Sequence, residues 1–377
     1  MNHHDLKFID SVRGLATICV ILSHCLLMFY PAAHTGIGFS GRLDNFLFNS
    51  PISFIYKGES AVLVFFVLSG YILSYNCMKH GFSVQYIRSS TIKRYLRLGI
   101  PCGASIFICY LLMKVDAFPA VRLDLTGLPL AGMYSNSQSF LSMIYSSLYG
   151  AMIFSDARFN YVLWTISIEF FGSMLIFATV ILLGFNKNLL RYSTILMTLI
   201  FLSLDKPYSY YGMFTAGIAI STFKIDNARG FGVKLCSLLT LLLAIYLLGC
   251  ATGSHSYFYI AYYLDGLIPW WRLTLDIGAI LIMVAAVMHS DVLKPVKNKF
   301  FYFIGKISFS CYLLHSFVLS IIGPYAFKYT DSRFAGFLIC TCLVIIVTVM
   351  ISTLFYRYVD KSSIRISNWV GMKAVPL

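Results

Sequence analysis

Charge is what this sequence has least of. Asp, Glu, Lys and Arg make up 12% of the 377 residues, about half their share in a soluble domain. That shortage excludes a soluble protein built around one large core. Acidic residues are scarcer still: 15 Asp and Glu stand against 29 Lys and Arg, a net charge of +14. No basic stripe with interleaved aromatics accompanies the excess, so a nucleic-acid partner is not expected. No C-x-x-C pair occurs among the ten cysteines, so neither a metal site nor a redox motif is indicated. Most of the cysteines lie inside apolar runs and read as small packing residues. A cleavable leader is not expected either: the first apolar run carries Arg13 and His24 and lacks a clear small-residue cleavage site. No internal repeat and no linker interrupts the chain, which reads as a single domain over residues 1–377.

What is present is apolar length. Hydrophobic residues are 59% of the chain, and mean hydropathy is +0.78. The 32 Phe and 26 Tyr suit helix ends at a membrane interface. Candidate spans fall near 9–30, 54–75, 98–115, 162–185, 191–205, 208–223, 232–251, 272–289, 303–327 and 334–356. The expected fold is an all-α integral membrane protein of about ten transmembrane helices. The pair 191–205 and 208–223 is short and also reads as one broken helix. With the N-terminus in the cytoplasm, nineteen Lys and Arg fall in inside segments and eight in outside segments. That bias predicts both termini cytoplasmic. The longest outside segment, 116–160, holds Pro119, Gly127, Pro129 and Gly132 before the apolar stretch 140–154. It reads as a loop with an interfacial helix.

Ionisable groups inside spans cost about 2.5–3.5 kcal/mol on insertion scales and so ask for a reason. The first span holds Asp10, Arg13 and His24. Arg13 and His24 are eleven residues apart, close to three helical turns, which puts both on one face with about 16 Å of rise between them. Asp10 and Thr17 share that stripe. Glu59 lies near the outer end of the second span and Glu169 in the fourth. A histidine and two carboxylates thus reach the outer half of the membrane on three helices. A His–carboxylate pair serves a general base, and spacing leaves open which carboxylate partners His24. A structural hydrogen-bond cluster or a proton relay is the competing reading. On the inner side, Arg88, Lys93, Arg94 and Arg97 crowd the start of the third span. Arg94 and Arg97 share a helix face, and guanidinium pairs suit phosphate. Plain anchoring at the cytoplasmic headgroups is the alternative.

These residues also form motifs. Phe8-Ile-Asp-Ser-Val-Arg-Gly-Leu-Ala with R-x(10)-H from Arg13 to His24, Phe65-Phe-Val-Leu-Ser-Gly-Tyr71, Arg94-Tyr-Leu-Arg97, Trp164-Thr-Ile-Ser-Ile-Glu169 and Tyr312-Leu-Leu-His315 follow in order. The chain resembles the acyltransferase family 3 membrane proteins over nearly its whole length. It departs mildly at Asp360, where the last helix of the family more often carries Glu. The resemblance implies about ten helices and transfer of acyl groups, most often acetyl from cytoplasmic acetyl-CoA, to carbohydrates or other envelope molecules. It implies His24 as the essential histidine with Arg13 as its partner, and Arg94 and Arg97 on the donor side. Trp164, Glu169, Ser69, Gly70 and Tyr71 would line or support the pore, with Ser69 and Gly70 also readable as close-packing residues. Tyr312 and His315 are read as supporting residues, with a packing role as the alternative. Some members carry an esterase-like domain, and this chain reads as the form that completes transfer without one.

The expected activity is therefore O-acetylation of a glycan or lipid-linked glycan across a bacterial inner membrane, lipopolysaccharide O-antigen first among acceptors. Acetyl-CoA is the expected co-substrate, with no metal. The CoA phosphates would meet Arg88, Lys93, Arg94 and Arg97, its arm would pass Arg13, and His24 would act as base with Glu59 or Glu169. Two rivals are a proton-coupled secondary transporter and a lipid-linked sugar flippase or polymerase. Neither would consume acetyl-CoA.

Overall fold

The computed structural model describes residues 7–223, 230–264 and 269–374. Lys224 and Arg229, counted above among the inside cations, lie outside the described residues. The described residues contain helices and no strand. The main helices are α1 Lys7–Phe29, α2 Gly58–Lys79, α3 Val84–Lys114, α4 Trp164–Leu183, α5 Lys187–Ser203 and α6 Ser209–Ser221, then α7 Phe231–Leu248, α8 Trp270–Met288, α9 Ser308–Lys328, α10 Arg333–Phe355 and α11 Lys361–Ala374. α1 to α10 fall on the ten expected spans in order. Among the described residues eight helices are long and apolar enough to cross a membrane, with α10 and α11 running on through a π turn as one helix of 42 residues. This is an all-α integral membrane protein.

α5 and α6, with 17 and 13 residues, are too short for that class. They are not one broken helix. Arg191 Nε donates to Thr222 Oγ1 at 3.0 Å, Thr198 and Thr215 hydroxyls meet at 2.8 Å, and a Cβ on Gly212 would sit 3.3 Å from Leu202. As one number rises the other falls, so the two helices are an antiparallel hairpin.

The chain divides into two compact units, and neither is a continuous stretch. The first comprises residues up to Val20, Ala32–Ile87 and Gly172–Lys306. Within it α2, α5 and α8 all pack against α6, and α7 packs on α8. Every residue of α6 from Gly212 to Ser221 is buried. Glycines permit the tight approach of α2 to α6. A Cβ on Gly70 would lie 2.2 Å from the Phe214 carbonyl oxygen, and one on Gly217 would lie 2.3 Å from that of Val67. Small residues at such crossings let dispersion act where lipid supplies no hydrophobic drive. The same unit holds the loop helix Arg42–Phe48, whose start is fixed by the buried Asp44. Asp44 accepts from Ser40 N at 2.6 Å, Ser40 Oγ at 2.9 Å, Gly41 N at 3.0 Å and Asn45 N at 3.1 Å. Burial pushes its carboxyl up, but these four bonds outweigh it and hold the group below the usual carboxylate range.

The second unit comprises Ile21–Pro31, Arg88–Phe171 and residues from Ile307 on. Its core joins Leu98, Cys102 and Ile106 of α3 with Met152, Phe159 and Leu163 and with Leu313 and Phe317 of α9. The apolar stretch expected as an interfacial helix is a broken helix, Phe140–Ile153, that runs down along α3. Phe140 meets Tyr110 ring to ring at 6.0 Å, a Cβ on Gly103 would touch Ser147 at 3.5 Å, and the Tyr95 hydroxyl donates to the Leu148 carbonyl. It carries apolar side chains on both faces: Met143 and Met152 are buried while Leu141 and Leu148 face outward. Farther along the chain, Ser363, Ser367 and Gly371 line the buried face of α11. Ser89 Oγ of α3 donates to the Gly371 carbonyl at 3.1 Å.

Candidate active site

The second unit brings together residues from four distant parts of the chain. α1 carries His24 two turns before its end. α9 carries Tyr312 and His315, one turn apart and hence on one face. His24 Nδ1 lies 2.9 Å from His315 Nε2. The rings are 3° from parallel with centroids 5.1 Å apart, close to the N–N distance plus two ring radii. The imidazoles therefore lie side by side in one plane, and the bond follows the lone-pair direction. His315 is completely buried, and its Nδ1 is 3.0 Å from the Cys311 carbonyl oxygen.

Aromatic and amide groups surround the pair. Tyr161 presents its ring edge-on to His24, centroids 5.3 Å apart, and Tyr134 lies beyond it at 5.9 Å. The hydroxyls of Tyr134 and Tyr161 are buried without a hydrogen-bond partner. The buried Asn160 donates through Nδ2 to the Leu313 carbonyl at 2.7 Å and accepts from Ser316 Oγ at 2.8 Å. Tyr312 donates to the Val162 carbonyl at 2.8 Å and meets Thr165 Oγ1 at 2.8 Å. These bonds tie α9 to the chain leading into α4, where Trp164 is the first helical residue and is half-buried. Asn160, Tyr161 and Tyr134 were missed by the sequence reading. An uncharged amide four residues before the Trp164 motif, in an apolar setting, was the available cue for Asn160.

Glu169 forms an ion pair with Arg94, with side chains 16% and 13% exposed. One residue of the carboxylate set and one of the donor set are thus engaged with each other. Arg97 is exposed on α3, as is Arg88, and Lys93 is half-buried with its stem beside Gly371.

The remaining expected residues lie in the first unit. Asp10 and Arg13 are half-buried on α1, where the Arg13 carbonyl accepts from Thr17 Oγ1 at 2.8 Å. Gly70 and Tyr71 are buried and Ser69 is half-buried. Glu59 forms an ion pair with Lys206. Beside it Arg272 donates to Asp205 Oδ1 at 3.2 Å and to the Leu204 carbonyl at 2.8 Å. Asp276, one turn along α8 from Arg272, is 1% exposed, and its Oδ2 has no hydrogen-bond partner. The sequence reading counted Arg272 as an outside cation and passed over Asp276. Among the described residues, no group of three His, Cys, Asp or Glu could hold a metal ion.

A family model described as an acyltransferase domain, that of acyltransferase family 3, matches residues 6–357. The chain belongs to this family. It is also similar to the O-acetyltransferase PaAT-1 of Phomopsis amygdali, 22% identical over a 429-residue alignment that covers 97% of this chain and 84% of the relative. No solved structure matches the chain. Family membership and this relative make the protein a multi-pass membrane O-acyltransferase, and they favour acyl transfer over the transport and flippase readings.

Proposed function

We propose that the protein moves an acetyl group from cytoplasmic acetyl-CoA to a carbohydrate hydroxyl, with His24 as general base. The observation that carries this is an imidazole deep in α1, held in plane by a second imidazole, in a family whose members transfer acyl groups. In the reaction His24 takes the proton of the hydroxyl as its oxygen attacks the thioester carbonyl carbon. The C–S bond breaks, and the departing CoA sulfur takes the proton back from His24. The products are an acetyl ester and free CoA thiol. An acetyl-histidine formed first would lead to the same products.

The donor assignment rests on charge. α3 has 31 residues and the α10–α11 helix 42, about 46 and 63 Å long against a hydrocarbon core of about 30 Å. α3 carries Arg88, Lys93 and Arg97 and meets α11 where Ser89 bonds to Gly371, α11 carries Lys361, Arg365 and Lys373, and no Asp or Glu lies between 80 and 115 or after 360. Phosphates of CoA suit such a surface. Arg94 already answers Glu169, and we assign it to holding α3 against α4. Arg13 remains the proposed contact along the donor arm. The basic bias supports both termini in the cytoplasm, which for a bacterial cell means its inner membrane. The relative PaAT-1 is named an O-acetyltransferase, which supports acetyl as the group moved. Lipopolysaccharide O-antigen is the first acceptor to try, then exopolysaccharide and other glycans.

Purified protein in lipid nanodiscs, given acetyl-CoA and glycan, should release CoA thiol and add the mass of an acetyl group to the glycan. His24→Ala should stop both while remaining folded. A near wild-type rate in His24→Ala would remove His24 as base.

A further inference from the structure

The protonation pattern of the two histidines can be read from their partners. The Cys311 carbonyl oxygen only accepts, so His315 Nδ1, at 3.0 Å, carries a hydrogen. A cationic ring at this completely buried position, with one carbonyl as its fixed partner on that side, is strongly disfavoured. His315 is then neutral, and its Nε2 holds a lone pair. That lone pair faces His24 Nδ1 at 2.9 Å in the common ring plane. The shared hydrogen therefore sits on His24 Nδ1, and His24 carries its own lone pair at Nε2.

We infer that His315 is a positioning residue that fixes His24 in the Nδ1–H tautomer and aims Nε2 as the basic nitrogen. This rests on the reading of His24 as general base. In a Ser-His-Asp triad a carboxylate fills this place. Here the acceptor is a neutral imidazole, which avoids burying a second formal charge within a membrane. Tyr312 on the same face holds α9 to the start of α4 through Val162 and Thr165, so the ring of His315 is fixed from its own helix and from the neighbouring one. When Nε2 of His24 takes the hydroxyl proton, the Nδ1–H bond to His315 becomes charge-assisted and strengthens as the charge develops. Once the CoA sulfur removes that proton, the neutral pair is restored with no net change in either ring.

The test is the 15N spectrum of histidine-labelled protein in nanodiscs at neutral pH, with His24 and His315 signals assigned from His24→Ala and His315→Phe. Wild type should show pyrrole-type Nδ1 and pyridine-type Nε2 nitrogens for both rings. His315→Phe should lose the His24 pattern and lower kcat by about a hundredfold, with KM for acetyl-CoA within about twofold of wild type. His315→Gln, whose amide oxygen can accept from His24 Nδ1, should restore the His24 pattern and part of the rate. A pyridine-type Nδ1 on His24 in the wild-type protein overturns the inference without any activity measurement, as does a His315→Phe protein whose His24 spectrum and turnover are unchanged. An active His24→Ala beside the expected wild-type spectrum would instead sink the general-base reading and leave the tautomer standing.

Discussion

At the scale of single residues, ion pairs decide which groups are available for chemistry. Arg94 and Glu169 come from motifs 75 residues apart, and each had been read for a separate job. Both side chains are largely buried, so removing one charge takes an ion-pair partner from the other. Glu169→Gln should destabilise the protein by about 3 kcal/mol, measured as the loss of folded protein on heating in detergent. Arg94→Met combined with Glu169→Gln should recover much of that stability. If the double variant is no more stable than the single one, the pair is not what holds these helices. The Arg13–His24 stripe was legible because helical periodicity relates residues eleven positions apart. The meeting of His24 with His315 was not, since 291 residues separate them and no local rule pairs distant helices. The Tyr312-to-His315 spacing singled out His315 without showing what it touches.

At the scale of elements, close packing and capping make the sharpest demands. Gly70 and Gly217 let α2 and α6 approach to backbone contact. Gly70→Ala should cost about 1–3 kcal/mol and lower the yield of folded protein. Equal thermal stability of Gly70→Ala and wild type would remove the backbone clash as a constraint. The Arg42–Phe48 helix offers a pH test. Asp44 is held below its usual range in the folded state, so its contribution is complete above the unfolded carboxylate value of about 4. That contribution is lost as pH falls through the lower folded value. Hydrogen exchange at Ser40, Gly41 and Asn45 should therefore quicken below about pH 4, and Asp44→Asn should show fast exchange already at neutral pH. Unchanged exchange in Asp44→Asn would discount the cap. The long helices were plain in the sequence because lipid demands long apolar runs. Phe140–Ile153 was harder to place, because an apolar stretch of that length satisfies an interface or a groove equally well.

For the whole molecule, the hairpin α5–α6 bears on a question of parity. A hairpin returns the chain to the side it left, whether or not it reaches the far surface. Eight candidate spanning helices among the described residues, an even number, support the expectation that the two termini lie on one side. With that side cytoplasmic, a reporter active only in the cytoplasm should work after Leu377, which lies outside the described residues. A reporter active only outside should work when inserted near Tyr134. The reverse pattern would put Arg88, Lys93, Arg97 and α11 away from any cytoplasmic acetyl-CoA, and the donor assignment would fall.

The shortness of α6 also has a consequence for biosynthesis. Thirteen residues give about 20 Å of helix, well under the hydrocarbon thickness. Inside the finished protein that shortfall is harmless, because α2, α5 and α8 enclose α6 and satisfy what lipid could not. On the ribosome the order matters. α2 and α5 have already emerged when α6 leaves the translocon, but α8 has not. α6 must therefore wait in an unfinished cradle, held by its glycine contacts with α2, until α8 closes the last side.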